Sequence, residues 1–210
     1  MTELNAELQE RLKRTGAVDL LTGLGHFSLI DKAHSERVGL LAMDAVFAMT
    51  GDASEALRAG YEGTVHDVGK ADSQVQRLAK LARPLSDEEQ AFVNRRHTTL
   101  GFSMLRALRV DGKDEGLRAG ASMTALYHHS SPARLMAMNG TALTTRVVQI
   151  ADKFDAMQDG ERPYHQGNAY PAEDALAEIE QHLGAEGALD DVAEQTLGTL
   201  GRLSLERQAA

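Results

Sequence analysis

The chain has 210 residues, 42% of them hydrophobic and 25% charged, enough apolar content for one sizeable core with or without a helical appendage. It contains no cysteine, which excludes disulfides and thiolate-held zinc and leaves nitrogen and oxygen donors for any metal. A formal net charge of -9 argues against wrapping a nucleic-acid polymer, which needs a basic surface, but not against a small anionic substrate held through bound dications.

The N-terminus carries Glu3, Glu7 and Glu10 in place of a basic region before an apolar run, and no apolar stretch reaches the length of a membrane span. A soluble cytoplasmic protein without a membrane partner is expected. Ala, Leu, Glu, Arg and Met are abundant and no run of alternating β-branched residues occurs, so the periodicity predicts an all-α chain. A first helix over residues 2 to 14 aligns Leu4, Leu8 and Leu12, and Gly16 follows where it should stop. This leucine-lined helix can pack on the core or pair with a second copy. Residues 17 to 31, punctuated by glycine, read as irregular. Helices then follow over 32 to 50, 53 to 67, 72 to 81, 86 to 108, 113 to 128, 142 to 159, 171 to 184 and 188 to 202. Ser86 and Glu89 form a capping-box start, and Gly51, Gly69, Gly160 and Gly184 fall where helices should end. Residues 130 to 141, with Pro132 and Asn139-Gly140, read as a loop.

Five of the eight histidines are metal-ligand candidates: His34, His66, His97, His128 and His129, joined by Asp67 and Asp152. His34 lies near the start of a helix with apolar Val38, Leu41, Val46 and Phe47, and Asp152 sits among Val147, Val148, Ile150 and Phe154. A carboxylate on such a face costs several kcal/mol unless it is paired or coordinated. Taken singly, each has a plainer reading: a hydrogen-bonded core histidine, a polar helix end at His128-His129, or an Asp152 that pairs with Arg146. Lys70 reads most simply as a solvated lysine and Arg162 as a surface arginine near a turn.

The order of these residues resembles the HD superfamily of metal-dependent phosphohydrolases, and within it the HD-GYP branch, over roughly residues 30 to 198. His34-Ser35-Glu36-Arg37-Val38 is similar to the opening helix, His66-Asp67-Val68-Gly69-Lys70 to the HD motif, and His97-Thr98-Thr99-Leu100-Gly101 to a His-x-x-x-Gly pattern. His128-His129 matches the paired histidines, Arg146 to Met157 the helix of the last aspartate, and Arg162-Pro163-Tyr164 the motif after it. The resemblance implies a helical bundle of about seven to nine helices, with residues 1 to 25 as an N-terminal segment and 26 to 210 as the domain. It also implies two divalent metals, iron or manganese. His34, His66, Asp67 and Asp152 would hold one, while Asp67, His97, His128 and His129 would hold the other, so that Asp67 bridges. Two dications about 4 Å apart activate water and neutralise charge on phosphoryl oxygens. Lys70 and Arg162 would contact phosphate, with Asp67 and Lys70 at the chemistry.

Three departures stand out. Ser130-Ser131-Pro132-Ala133-Arg134 replaces the glutamate and Gly-Tyr-Pro loop that give the branch its name. Ile30 stands where some members carry a glutamate for a third metal, with Asp31 one position out of phase, so two metals are expected. His165 replaces the usual basic residue after Arg-Pro-Tyr, which makes phosphate binding there weaker or pH-dependent. The expected function is a phosphodiesterase for cyclic di-GMP or a related cyclic nucleotide. The altered loop keeps two alternatives open: a cyclic di-GMP-binding signalling or scaffold protein with weak turnover, and an HD phosphohydrolase of other nucleoside phosphates. A homodimer or a signalling protein partner is compatible with either.

Overall fold

The computed structural model describes residues 2–81, 83–138, 142–160 and 169–208. Among them lie eleven α-helices and two short 3-10 turns, and no strand. The helices are α1 (Thr2–Arg14), α2 (Ala17–Phe27), α3 (Leu29–Thr50), α4 (Ala53–Val65), α5 (Ser73–Ala79), α6 (Asp87–Ala107), α7 (Glu115–Tyr127), α8 (Pro132–Ala137), α9 (Ala142–Gln158), α10 (Ala172–Ala185) and α11 (Asp191–Gln208). Val68–Ala71 forms the 3-10 turn between α4 and α5, and Gly112–Asp114 the one before α7.

The all-α expectation holds, and the two helices beyond the expected range of seven to nine are α2 and α8. Residues 17 to 27 are helical despite Gly23 and Gly25, because Ala17, Leu21 and Leu24 are buried at i, i+4 and i+7. That burial outweighs about 1 kcal/mol of propensity per glycine. In the expected loop 130 to 141, Ser131 accepts the Arg134 amide and Pro132 sits at the first helical positions, which starts α8 and buries Leu135. The capping box is present, with Ser86 and Glu89 answering each other's backbone amides. Gly51 ends α3 in the left-handed region at φ 67. Gly184 lies inside α10, and the chain turns instead at Gly187, φ 65.

Helix α3 runs through the middle, packed on α4, α9 and α11, while α4 also contacts α7 and α9. The crossing of α3 and α4 is close. A Cβ on Gly39 would lie 2.0 Å from Thr64 Oγ1, and one on Gly63 3.0 Å from the Gly39 Cα, so these positions hold the two backbones together. The first helix joins the same core: Leu8 and Leu12 are buried in it, Tyr61 donates to Thr15 Oγ1 at 2.9 Å, and Arg14 grips Asp114 at 2.7 and 2.8 Å. Leu8→Ala is therefore expected to cost about 2–5 kcal/mol, seen as a lower denaturation midpoint with an unchanged slope. A loss below about 0.5 kcal/mol would mean that α1 is a detachable appendage.

Candidate metal centre

Six elements converge on the site. His34 comes from α3, His66 caps the C-terminus of α4, Asp67 begins the 3-10 turn, His97 lies in α6, His128 caps α7 and is followed by His129, and Asp152 lies in α9. Asp67 has the position of an N-cap yet makes no capping hydrogen bond, so both its oxygens stay available to the site.

Those oxygens face different partners. Oδ2 lies 3.4 Å from His66 Nε2 and 3.8 Å from His34 Nε2, while Oδ1 lies 3.4 Å from His97 Nε2 and 3.6 Å from His128 Nε2. Asp152 Oδ1 completes the first set, 2.9 Å from His34 Nε2 and 3.6 Å from His66 Nε2. Two ligand groups result: His34, His66, Asp67 and Asp152, and Asp67, His97, His128 and His129. Within each, the donor atoms lie within 4.8 Å of one another.

Backbone hydrogen bonds set the tautomers. His66 Nδ1 donates to Gly63 O at 2.6 Å, His97 Nδ1 to Val93 O at 2.7 Å, and His128 Nδ1 to Ala125 O at 3.0 Å. A carbonyl only accepts, so each Nδ1 carries a proton and each Nε2 faces the centre, the atom that would bind a metal once unprotonated. His97 and His128 thus bring two Nε2 atoms within 3.3 Å of each other. His66 Nε2 and Asp67 Oδ1 are buried without a hydrogen-bond partner among the described residues. Unanswered buried donors and acceptors are costly, and a cation in each group would answer one of them.

The titration tendencies agree with this donor set. Burial pushes the His97 pKa down to about 3, and surrounding protein with the neighbouring His128 and His97 rings lowers that of His129, whose side chain faces the open cavity. Both are neutral imidazoles, the form that binds a metal. Burial opposes ionisation of Asp67, but His66 and Lys70 outweigh it and hold the carboxyl well below its usual range. Asp152 is held down likewise, burial being outweighed by the His34 hydrogen bond and the charge of the nearby His66. Burial would neutralise His66, yet Asp67 and Asp152 raise it to about 10. In the metal-free protein a proton there answers the two carboxylates, a task that a dication performs with more charge.

The structure adds residues that sequence reasoning missed. His34 Nδ1 bonds to Asp155 Oδ2 at 2.7 Å, and Arg37 holds the same carboxylate at 2.8 and 2.9 Å while also reaching Asp159 at 2.8 Å. A carboxylate behind a ligating histidine fixes the ring and raises its basicity. The available signal is two i, i+3 pairs, His34 with Arg37 and Asp152 with Asp155, on helices that face each other. Asp155→Asn keeps the shape but removes the charge. It is expected to weaken metal binding by the His34 group about 10- to 100-fold in a chelator competition, whereas unchanged affinity would make Asp155 a partner of Arg37 alone. Arg146 does not pair with Asp152. It binds Asp190 at 2.5 and 2.9 Å, joining α9 to the segment before α11.

Lys70 pairs with Asp67 Oδ2 and is not the solvated lysine of the plainer reading. Asp31, set in the first turn of α3, accepts from Gln76 Nε2 at 2.9 Å and has its pKa lowered, burial being outweighed by the Lys70 charge together with hydrogen bonds from Gln76 and Ser28. Arg162, His165 and Asn139-Gly140 lie outside the described residues. Both ligand groups open onto a cavity of about 1090 Å³, whose far walls come from α5, the segment after it, and α10.

A family model described as HD domain matches residues 32–157, more than half of the chain and all seven ligand candidates. The chain belongs to the HD domain family. HD domains are metal-dependent hydrolases that bind divalent metals, and the all-nitrogen-and-oxygen donor set here fits such ions. No curated protein and no solved structure gives a significant match to the chain. The match leaves α1, α2, α10 and α11 outside it, although α10 lines the cavity. No helix among the described residues is long and apolar enough to cross a membrane.

Proposed function

We propose that this HD domain is a two-metal phosphodiesterase of the HD-GYP-like type, acting on cyclic di-GMP or a related cyclic nucleotide. The observation that carries the two-metal reading is the division of Asp67, with one oxygen toward His34 and His66 and the other toward His97 and His128. His34, His66, Asp67 and Asp152 would hold one metal, and Asp67, His97, His128 and His129 the other. When bound, the pair supplies activated water and neutralises charge on the phosphoryl oxygens.

The chain's own residues do the rest. Backbone carbonyls hold the rings of His66, His97 and His128, so the ligands need little reorganisation as the substrate reacts. Lys70 lines the cavity beside Asp67, and with the Asp67 charge committed to metal its ammonium is placed to meet a phosphoryl oxygen. Arg162 is proposed as a second phosphate contact on its sequence motif alone. Iron and manganese both suit mixed imidazole and carboxylate donors. A cavity of about 1090 Å³ lies at the upper end of the usual range for small-molecule sites and favours a substrate larger than one nucleotide.

In place of the branch's Gly-Tyr-Pro loop, α8 follows the paired histidines, its approach held by Gln149 Nε2 donating to His128 O and Ser130 O at 2.8 and 2.7 Å. This wall differs from the branch pattern and bears on turnover. Protein loaded anaerobically with iron or manganese and assayed on cyclic di-GMP, its linear product and a nucleotide panel tests the reading. Hydrolysis of the cyclic dinucleotide is expected. Tight binding without turnover would favour the signalling or scaffold role, and turnover confined to mononucleotides would favour a general HD phosphohydrolase.

A further inference from the structure

Glu62 is fully buried in α4, one turn before His66, and takes no part in either ligand group. Its Oε1 accepts from Arg58 Nε at 2.8 Å, and its Oε2 accepts from Thr124 Oγ1 of α7 at 2.7 Å. Thr124 Oγ1 lies in turn 2.9 Å from Thr145 Oγ1 of α9. Each member of this chain shares a helix face with a metal-ligand candidate: Glu62 with His66 and Thr124 with His128 at i+4, Thr145 with Asp152 at i+7. The Thr124 carbonyl is also an acceptor for His128 Nδ1, at 3.2 Å. Glu62 is fitted closely, since a Cβ on Gly120 would stand 2.2 Å from its Oε1.

We infer that Glu62 is a positioning residue that sets the spacing of α4, α7 and α9, and so of the two metal groups, through Thr124 and Thr145. The inference rests on the two-metal reading for its consequence in metal binding, but not for its structural content. A buried carboxylate is an expensive way to fill space, and apolar packing would join the helices as firmly. What it adds is direction, because hydrogen bonds of 2.7 to 2.9 Å fix where Thr124 sits in a way that apolar contact does not.

The variant Glu62→Ala/Gly120→Ala removes the link while the new methyl at 120 fills the carboxylate's place. Arg58, partly exposed, can turn to solvent. Glu62→Gln is the conservative control, since its amide can accept from Arg58 and donate to Thr124. Thr124→Val cuts the same link from the other side and serves if the double variant does not fold. Imidazole nitrogen NMR of the metal-free proteins and metal titration are the readouts.

In the double variant or Thr124→Val, the His66 and His128 ring signals are expected to move while His26 stays. Metal affinity of the group containing His128 should fall about tenfold or more, and Glu62→Gln should remain within about threefold of the unaltered protein. Unmoved His66 and His128 signals in a folded variant, or wild-type metal affinity without the link, would overturn the assignment. Failure of the unaltered protein to take up metal would overturn the two-metal reading instead, and the metal-free NMR comparison would still decide the role of Glu62.

Discussion

Asp67→Ala is expected to empty both metal groups at once and to lower phosphohydrolase activity on the order of 10³-fold or more, about 4 kcal/mol of transition-state stabilisation. The reason is geometric. Asp67 is the one residue common to the two groups, and its oxygens lie 3.4 to 3.8 Å from four different histidine nitrogens. Removing His129 or Asp152 takes a donor from one group, whereas removing Asp67 takes one from each. The substitution also takes one buried carboxylate from beside Lys70, whose side chain is 13% exposed, so metal-free Asp67→Ala should be less stable than the parent. Asp67→Asn separates the two effects, because it keeps the side-chain volume but withdraws the charge on which bridging depends. Metal analysis of both variants should read well below one per chain. Two metals and full activity in Asp67→Ala would remove the bridge.

The second large effect is expected at Gly69, which supplies no metal ligand. A Cβ there would meet the His97 carbonyl oxygen at 1.9 Å and the Gly101 nitrogen at 2.6 Å, both backbone atoms that cannot swing aside. The 3-10 turn carrying Asp67 and Lys70 therefore lies directly on α6 at the residue that supplies His97. Gly69→Ala must push the two apart, costing on the order of 3 kcal/mol and lowering the melting temperature by about 6–12 °C for a chain of this size. It should also draw Asp67 away from His97 and lower activity more steeply than the loss of stability alone explains. Gly101→Ala is the control: its nearest contact would be 3.4 Å, to Ala125 Cβ, and a loss below about 1 kcal/mol is expected. Equal effects from the two alanines would show that the close approach at Gly69 does not matter.

The metal-ligand candidates were legible in the sequence because their side chains are chemically unusual where they stand. An aspartate among Val147, Val148, Ile150 and Phe154, or two adjacent histidines closing a helix, invites a reason that periodicity cannot supply. Asp155 was not legible in the same way. Three residues beyond Asp152, it looks like any polar residue of an amphipathic helix until α3 is laid against α9 and His34 meets it. Glu62 was hidden for a related reason, since Arg58 four residues earlier makes it read as an exposed i, i+4 ion pair. Only the packing of α7 across that face buries it.

The two helices beyond the expected count, α2 and α8, both contain residues that ordinarily break helices. In α2, Gly23 and Gly25 look like breaks in the sequence, but three buried apolar residues on one face outweigh them. In α8, Pro132 looks like a break, although serine as cap with proline just inside is also how a helix begins. That helix lies beside the site, since α8 follows the paired histidines directly and lines one wall of the cavity through Pro132.

The central claim is that one aspartate joins two metal sites. Anaerobic reconstitution of the unaltered protein with iron or manganese, removal of loose metal, and elemental analysis against protein concentration tests it most directly. Two metals per chain are predicted, falling below one in Asp67→Ala. A content near zero in the unaltered protein, with His97→Ala changing neither stability nor activity, would contradict the account and reduce the cluster to core histidines.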